Sequence, residues 1–353
     1  NNLMMRRTTK LASSIAHING QKVVGAEAYT SEPESGRWQE YPFALKAVGD
    51  KAFTEGINRM VIHRYAMQPH PDAAPAMTLG PWGIHFDRTN TWWEPGRAWI
   101  DYLNRCQTLL QEGLFVADFA YFTGDNIVGY TKVHRRDLNP VPPEGYDYDL
   151  MNTETLLNRA WVERGRLRLP DGMNYRVLVL QEQSHITLGL LRKLRNMVEQ
   201  GLIIVGARPQ QTVGLQSYSV IEEKEFEQLC DELWGKAATT VVDRSVGKGR
   251  IFWETSLNLE QVLEKIQLRP DFEVITDSIS APIRYIHRQI GEADVYFVAN
   301  QQRTSKELIC NFRVKGKIPE FWNPISGERT RAMVYQTNEE TISVPVQLEA
   351  YGS

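Results

Sequence analysis

Tyr175-Arg176-Val177-Leu178-Val179-Leu180, then Thr187 to Gln200, then Leu202-Ile203-Ile204-Val205, is the stretch that decides the fold class. The first run is apolar at nearly every position, the pattern of a strand buried on both faces. The second spaces Leu188, Leu190, Leu191, Leu194 and Met197 as one face of a helix, and Gly201 stops it. The third is another buried-type strand. Strand, helix, strand at this spacing predicts parallel pairing in a doubly wound sheet. No Gly-x-Gly-x-x-Gly follows the first strand, so no dinucleotide site is indicated. Glu223 to Trp234 reads as a further helix and Gly249 to Trp253 as a further strand.

Upstream the same alternation continues. Lys22 to Tyr29 reads as a strand, Phe43 to Glu55 as a helix closed by Gly56, and Ile57 to Tyr65 as a second strand. A loop rich in Pro, Gly and Trp runs from Pro69 to Gly96. Arg97 to Glu112 is helical, with Trp99, Tyr102, Leu103, Cys106, Leu109 and Leu110 at core spacing. Leu114 to Phe122 is a third strand, ending at Thr123-Gly124-Asp125. This order predicts a parallel sheet or a barrel. From about Ile283 the pattern changes to short strands: Ile283 to Arg288, Val295 to Ala299, Leu308 to Phe312 and Ile342 to Val346. Turn residues separate them, which predicts a small antiparallel sandwich.

The 353 residues carry 24% charged and 42% hydrophobic side chains with a formal net charge of -3. Balanced charge argues against a nucleic-acid partner, which selects a concentrated basic face. No apolar run approaches the roughly 18 residues that span a bilayer. Three cysteines cannot all pair, and none has metal-site spacing. The chain opens Asn1-Asn2-Leu3 with no initiator Met or signal peptide, and Leu11 to Asn19 reads as the end of a helix already under way. A fragment or processed product is expected.

Active residues of parallel α/β folds collect at the carboxyl ends of strands. Glu27 lies between Ala26 and Ala28 at one such end. A carboxylate there is either functional or a solvated edge residue paired with an arginine such as Arg59 or Arg64. His63 ends the second strand, where a core hydrogen bond is the plain alternative to ligand contact. Gly124-Asp125 ends the third, where a turn is the plain alternative. Acidic residues recur from Tyr146 through Asp147 and Asp149 to Glu154. Asn152 or Thr153 with Glu154 also reads as a helix start. The long loop adds Trp82, His85, Phe86, Trp92 and Trp93, as core packing or as faces on which sugars stack. Separated carboxylates with aromatic faces suit glycoside hydrolysis, which needs one acid and one base or nucleophile. Absence of a Gly-x-Ser-x-Gly elbow, a Walker loop and a His-Glu-x-x-His lowers the rival classes.

Taken in order, several motifs resemble the α-L-rhamnosidases of glycoside hydrolase family 106. They are Ala26-Glu27-Ala28-Tyr29-Thr30, Tyr41-Pro42, Gly56-Ile57-Asn58-Arg59 through His63, Gly83-Ile84-His85-Phe86-Asp87-Arg88, Thr91-Trp92-Trp93, Phe122-Thr123-Gly124-Asp125, Leu169-Pro170-Asp171-Gly172, Asp294 to Asn300 and Pro319-Glu320-Phe321-Trp322. The resemblance implies a (β/α)8 barrel acting with inversion on a rhamnose-containing oligosaccharide or glycoside, with a calcium ion at the sugar. It also implies periplasmic or secreted location. On it, residues 1–145 finish the barrel, whose first strands are missing here. Residues 146–260 form a Rossmann-like, amidotransferase-like domain, and 261–353 a β-rich tail. Glu27 matches the general acid, and Glu154 or Asp149 the base. His63, Asp125, Trp92, His85 and Tyr29 are the sugar contacts expected. The family motif has Gly-Glu where this chain has Gly124-Asp125, which leaves that side chain one methylene short. No residue is assigned to calcium. Two alternatives stand beside this reading: a related glycosidase for another sugar, and a non-catalytic carbohydrate-binding or structural fragment.

Overall fold

Val177–Val179 lies within a six-stranded sheet of a computed structural model that describes residues 8–34, 36–73, 77–78, 80–124, 134–181, 184–213, 220–236, 241–254, 257–275 and 282–353. The strand order is Val241–Val246, Gly249–Glu254, Ile203–Val205, Val177–Val179, Phe119–Phe122, Tyr148–Met151. The pairs are parallel except for the antiparallel hairpin of the first two strands. Val177–Val179, Phe119–Phe122 and Tyr148–Met151 are buried at every position, which explains the unbroken apolar runs of the first two; the third carries the buried Asp149. The helix Leu188–Glu199 makes the crossover between Val177–Val179 and Ile203–Val205. Thr187 caps it by accepting from Leu190 N at 3.3 Å. The doubly wound reading of this stretch is therefore what the chain forms.

Phe119–Phe122, which the sequence places with the barrel strands, pairs here with Val177–Val179 and Tyr148–Met151. Its four buried residues need cover on both faces, and a run of that kind fits either a barrel or an open sheet. Contacts divide the chain into two units. One holds residues 1–13, 22–113 and 272–353; the other holds 14–21 and 114–271.

Within the first unit, Gly25–Ala28 and Arg59–Ile62 pair in parallel, with Ala28 opposite Ile62. The helix Pro42–Thr54 connects them, and Arg97–Leu110 buries Trp99, Tyr102, Leu103, Cys106 and Leu110. Among the described residues these two strands pair only with each other and close no barrel. Asn58 fastens their starts. Its amide accepts from Val24 N at 2.7 Å and donates to Lys22 O at 2.8 Å and Leu110 O at 3.2 Å. A buried amide with its donors and acceptor engaged holds register without an orphaned polar group.

The paired strands from Phe272 onward are antiparallel, as expected from their alternation. Ile283–Ile290 pairs with Ala293–Asn300. Phe272–Ile275, Lys306–Phe312, Ile342–Leu348 and Gln336–Thr337 make a four-stranded sheet. Phe272, Leu308, Cys310 and Leu348 form a core on which Ile283, Tyr285, Tyr296 and Val298 pack. The three cysteines are free and buried. No helix among the described residues is long and apolar enough to cross a membrane.

Candidate active site

The carboxyl ends of Gly25–Ala28 and Arg59–Ile62 gather the candidate polar groups of the first unit. Glu27 is exposed, so it is not the buried carboxylate that its alanine neighbours suggest. Its side chain accepts a hydrogen bond from the Thr30 hydroxyl. Arg64 is not its partner: that guanidinium is buried and donates to the carbonyls of Trp82, at 2.9 Å, and Gly80.

Beyond Ala28 the backbone turns at Tyr29, which has φ 62°, a left-handed conformation rare outside glycine. Tyr29 is buried, its ring 5.2 Å from that of Trp99. Burial, with Asp50 nearby, pushes the Tyr29 hydroxyl well above its ordinary value of 10.0, so it stays a proton donor. His63 follows Ile62 and donates its backbone N–H to Ala28 O at 2.9 Å. Gly83 packs on it so closely that a Cβ there would come within 2.4 Å of His63 Nδ1. Gly83 N also donates to Ser31 O at 2.8 Å. Tyr29 Oη, Ser31 Oγ and His63 Nδ1 are buried polar atoms with no hydrogen-bond partner among the described residues. Orphaned polar atoms are rare in cores. Three at the ends of two adjacent strands fit groups that wait for a ligand's hydroxyls.

The loop carries His85 by pairing with the strand end: Arg64 N donates to Ile84 O at 3.0 Å and Phe86 N to Arg64 O at 3.1 Å. His85 stacks on Trp38, with centroids 3.6 Å apart and planes within 9°. Desolvation, with a smaller push from Arg64, lowers the His85 pKa, against the opposing pull of Asp87. Arg37 and Trp38, at φ 48° and 61°, are also left-handed. With His85, Thr78 and Gly80 they line a cavity of about 400 Å³. Residues held in sparsely populated backbone regions cluster at functional sites. Sequence reading passed over Ser31, Arg37 and Trp38, because nothing in composition marks a left-handed non-glycine residue.

Trp92 is half-buried in the loop. Its indole N–H donates to Glu40 O at 2.9 Å, and its ring meets Phe86 and Trp99. Trp82 is exposed. Asp125 lies outside the described residues.

Asp149 and Glu154 belong to the second unit. Asp149 is fully buried. It accepts from the Tyr175 hydroxyl at 2.9 Å, and one of its oxygens lies 3.0 Å from His17 Nδ1. Burial and Asp149 together hold the Tyr175 hydroxyl well above 10.0. His17 stacks on Phe115 at 4.5 Å. Glu154 is exposed, just ahead of Thr155–Arg159, and Asn152 accepts from Thr155 N at 2.9 Å. The helix-start pattern is therefore present, with Asn152 supplying the cap. Among the described residues no three His, Cys, Asp or Glu side chains converge as metal ligands.

A model of the glycoside hydrolase 106 family, described as alpha-L-rhamnosidase, matches residues 2–337. The chain belongs to that family. The solved rhamnosidase of Novosphingobium sp. PP1Y superposes on it with a TM-score of 0.84 at 30% identity, over 98% of this chain and 32% of that one. A protein of Formosa agariphila, provisionally named a beta-glucuronidase, is 37% identical over 340 residues, which are 96% of this chain and 27% of that protein. The chain therefore spans about a third or less of the length of these two relatives. A β-galactosidase of Bacillus circulans sp. alkalophilus, with a TM-score of 0.59 at 10% identity over 58% of its length, shares the fold alone.

Proposed function

We propose that the protein containing this chain is an inverting glycosidase that removes terminal α-L-rhamnosyl groups. One observation carries this reading. In a rhamnosidase-family chain, Glu27 is exposed at a parallel strand end, where the side chains of Tyr29, Ser31 and His63 carry polar atoms with no hydrogen-bond partner among the described residues. Glu27 is the general acid that protonates the leaving oxygen. Inversion needs a second carboxylate about 6.5–9.5 Å away, with a water between. Of the two carboxylates that the family resemblance offers as base, Glu154 is exposed, while Asp149 is buried and engaged by His17 and Tyr175. The Ser31 hydroxyl and the ring of His63 exchange hydrogen bonds with the sugar. The face of Trp38, backed by His85, offers a stacking surface beside them. On this reading Gly25–Ala28 and Arg59–Ile62 are strands of a (β/α)8 barrel.

The test is a panel of nitrophenyl glycosides on the full-length protein, with α-L-rhamnoside the substrate expected. Turnover of a different sugar alone would overturn the assignment. The Formosa relative's name favours a uronide as the second reading, and Arg37, exposed at the cavity, is suited to a uronate carboxylate. A nitrophenyl β-D-glucuronide therefore belongs in the panel. Binding of rhamnosides without turnover of any member would favour a non-catalytic carbohydrate-binding role.

A further inference from the structure

Glu27 and Thr30 are both exposed, and an exposed glutamate samples several rotamers unless something fixes it. The backbone supplies the fixing group. Gly25–Ala28 ends at Ala28, and the left-handed Tyr29 reverses the chain there. Ser31 N closes the turn onto Tyr29 O at 3.0 Å. The reversal returns the Thr30 hydroxyl to Glu27 Oε1. A left-handed tyrosine is strained and persists only where its surroundings determine it. Here the ring is buried against Trp99, and its hydroxyl meets the bare Cα of Gly49, where a Cβ would lie 2.4 Å from it.

We propose that Thr30 is a positioning residue for Glu27, acting through the acid and not on the sugar. The inference rests on the reading of Glu27 as general acid. A threonine hydroxyl has one proton to give. Donated to Oε1, it leaves Oε2 to carry the proton that passes to the leaving oxygen, and it holds the carboxyl plane in one orientation. As the glycosidic C–O bond breaks, a water oxygen bonds to the anomeric carbon and gives its proton to the base, the broken bond's electron pair passes to the leaving oxygen, and the Oε2 proton neutralises it. Glu27 is left as the carboxylate. Misplaced catalytic groups lose up to about 100-fold in rate, so Thr30 matters most where proton donation limits turnover.

The experiment compares Thr30→Val, Thr30→Ser and Glu27→Gln in the full-length enzyme. The substrates are two aryl glycosides of the sugar it hydrolyses, one with a good leaving group and one with a poor one. Expected for Thr30→Val is a fall of about 10–100-fold in kcat on the poor substrate, a much smaller fall on the good one, and unchanged KM. Thr30→Ser, which keeps the hydroxyl, should restore most of the loss. In the double variant the Val change should add nothing to Glu27→Gln. A Thr30→Val enzyme with the wild-type dependence on leaving group, or a further loss in the double variant, overturns the proposal while Glu27 stands. Glu27→Gln with undiminished activity on the poor substrate overturns the acid reading itself, and the Thr30 proposal with it. If Thr30→Val is poorly folded, Thr30→Ala carries the same comparison.

Discussion

Glu27 and Asp149 show how far apart two carboxylates of similar sequence context can end. Glu27 is exposed and accepts a hydrogen bond from Thr30, so Glu27→Gln should leave melting unchanged. Loss of general acid help is worth about 10²–10⁴-fold, and kcat on a poor leaving group should fall by that amount. Asp149→Asn should behave in the opposite way. The amide keeps the volume but cannot accept from both Tyr175 and His17 as the carboxylate does. A buried donor left unpaired costs about 1–3 kcal/mol, and thermal unfolding should report a loss of that order. Activity per folded molecule should be kept; were Asp149 the base, it would vanish as well. His85 adds a pH effect. Its pKa is lowered from 6.5 in the folded chain, mainly by desolvation. As pH falls below about 6.5 the unfolded chain takes up a proton that folded His85 resists, so its contribution to stability is present above that pH and is lost below it. The melting temperature of His85→Gln should therefore fall less than that of wild type between pH 7.5 and pH 5.5, both values being roughly a unit either side of a free histidine.

Two helices carry predictions of their own. Gly49 lies inside Pro42–Thr54, where alanine would ordinarily stabilise an exposed helix by about 1 kcal/mol. Here the Cβ meets the hydroxyl of a ring already packed on Trp99. Gly49→Ala should destabilise instead, and should lower activity because the Tyr29 reversal carries Thr30. A stabilised, fully active Gly49→Ala would show that Tyr29 can move aside freely. Thr187→Ala removes the side-chain cap of Leu188–Glu199 and should cost about 1 kcal/mol in denaturant unfolding. Activity per folded molecule should not change. Both helices could be recognised from their spacing, since one apolar face per 3.6 residues is written locally. The contact of Gly49 with Tyr29 could not, because it joins residues on two elements and depends on a backbone angle that tyrosine rarely adopts.

At the scale of the molecule, the expected outcome is α-L-rhamnosidase turnover by the full-length protein, assayed as release of nitrophenol. The doubly wound sheet was open to reading from Val177–Val179 and Leu188–Glu199, because a buried parallel strand and its crossover helix impose their patterns on consecutive residues. The antiparallel strands after Ile283 were legible for the same reason, through alternation and turn residues. The ordered series of motifs around Glu27, His63 and Trp92-Trp93 likewise sufficed to place the chain among rhamnosidases. Which sheet Phe119–Phe122 joins was decided only by tertiary packing, since four fully buried residues fit any sheet covered on both faces. Only the tertiary structure exposes Glu27 and buries Asp149, because solvent access belongs to the surroundings of a side chain and not to its neighbours in sequence. The same holds for the orphaned Tyr29, Ser31 and His63 atoms: a missing hydrogen bond becomes visible only when every group around it has been placed.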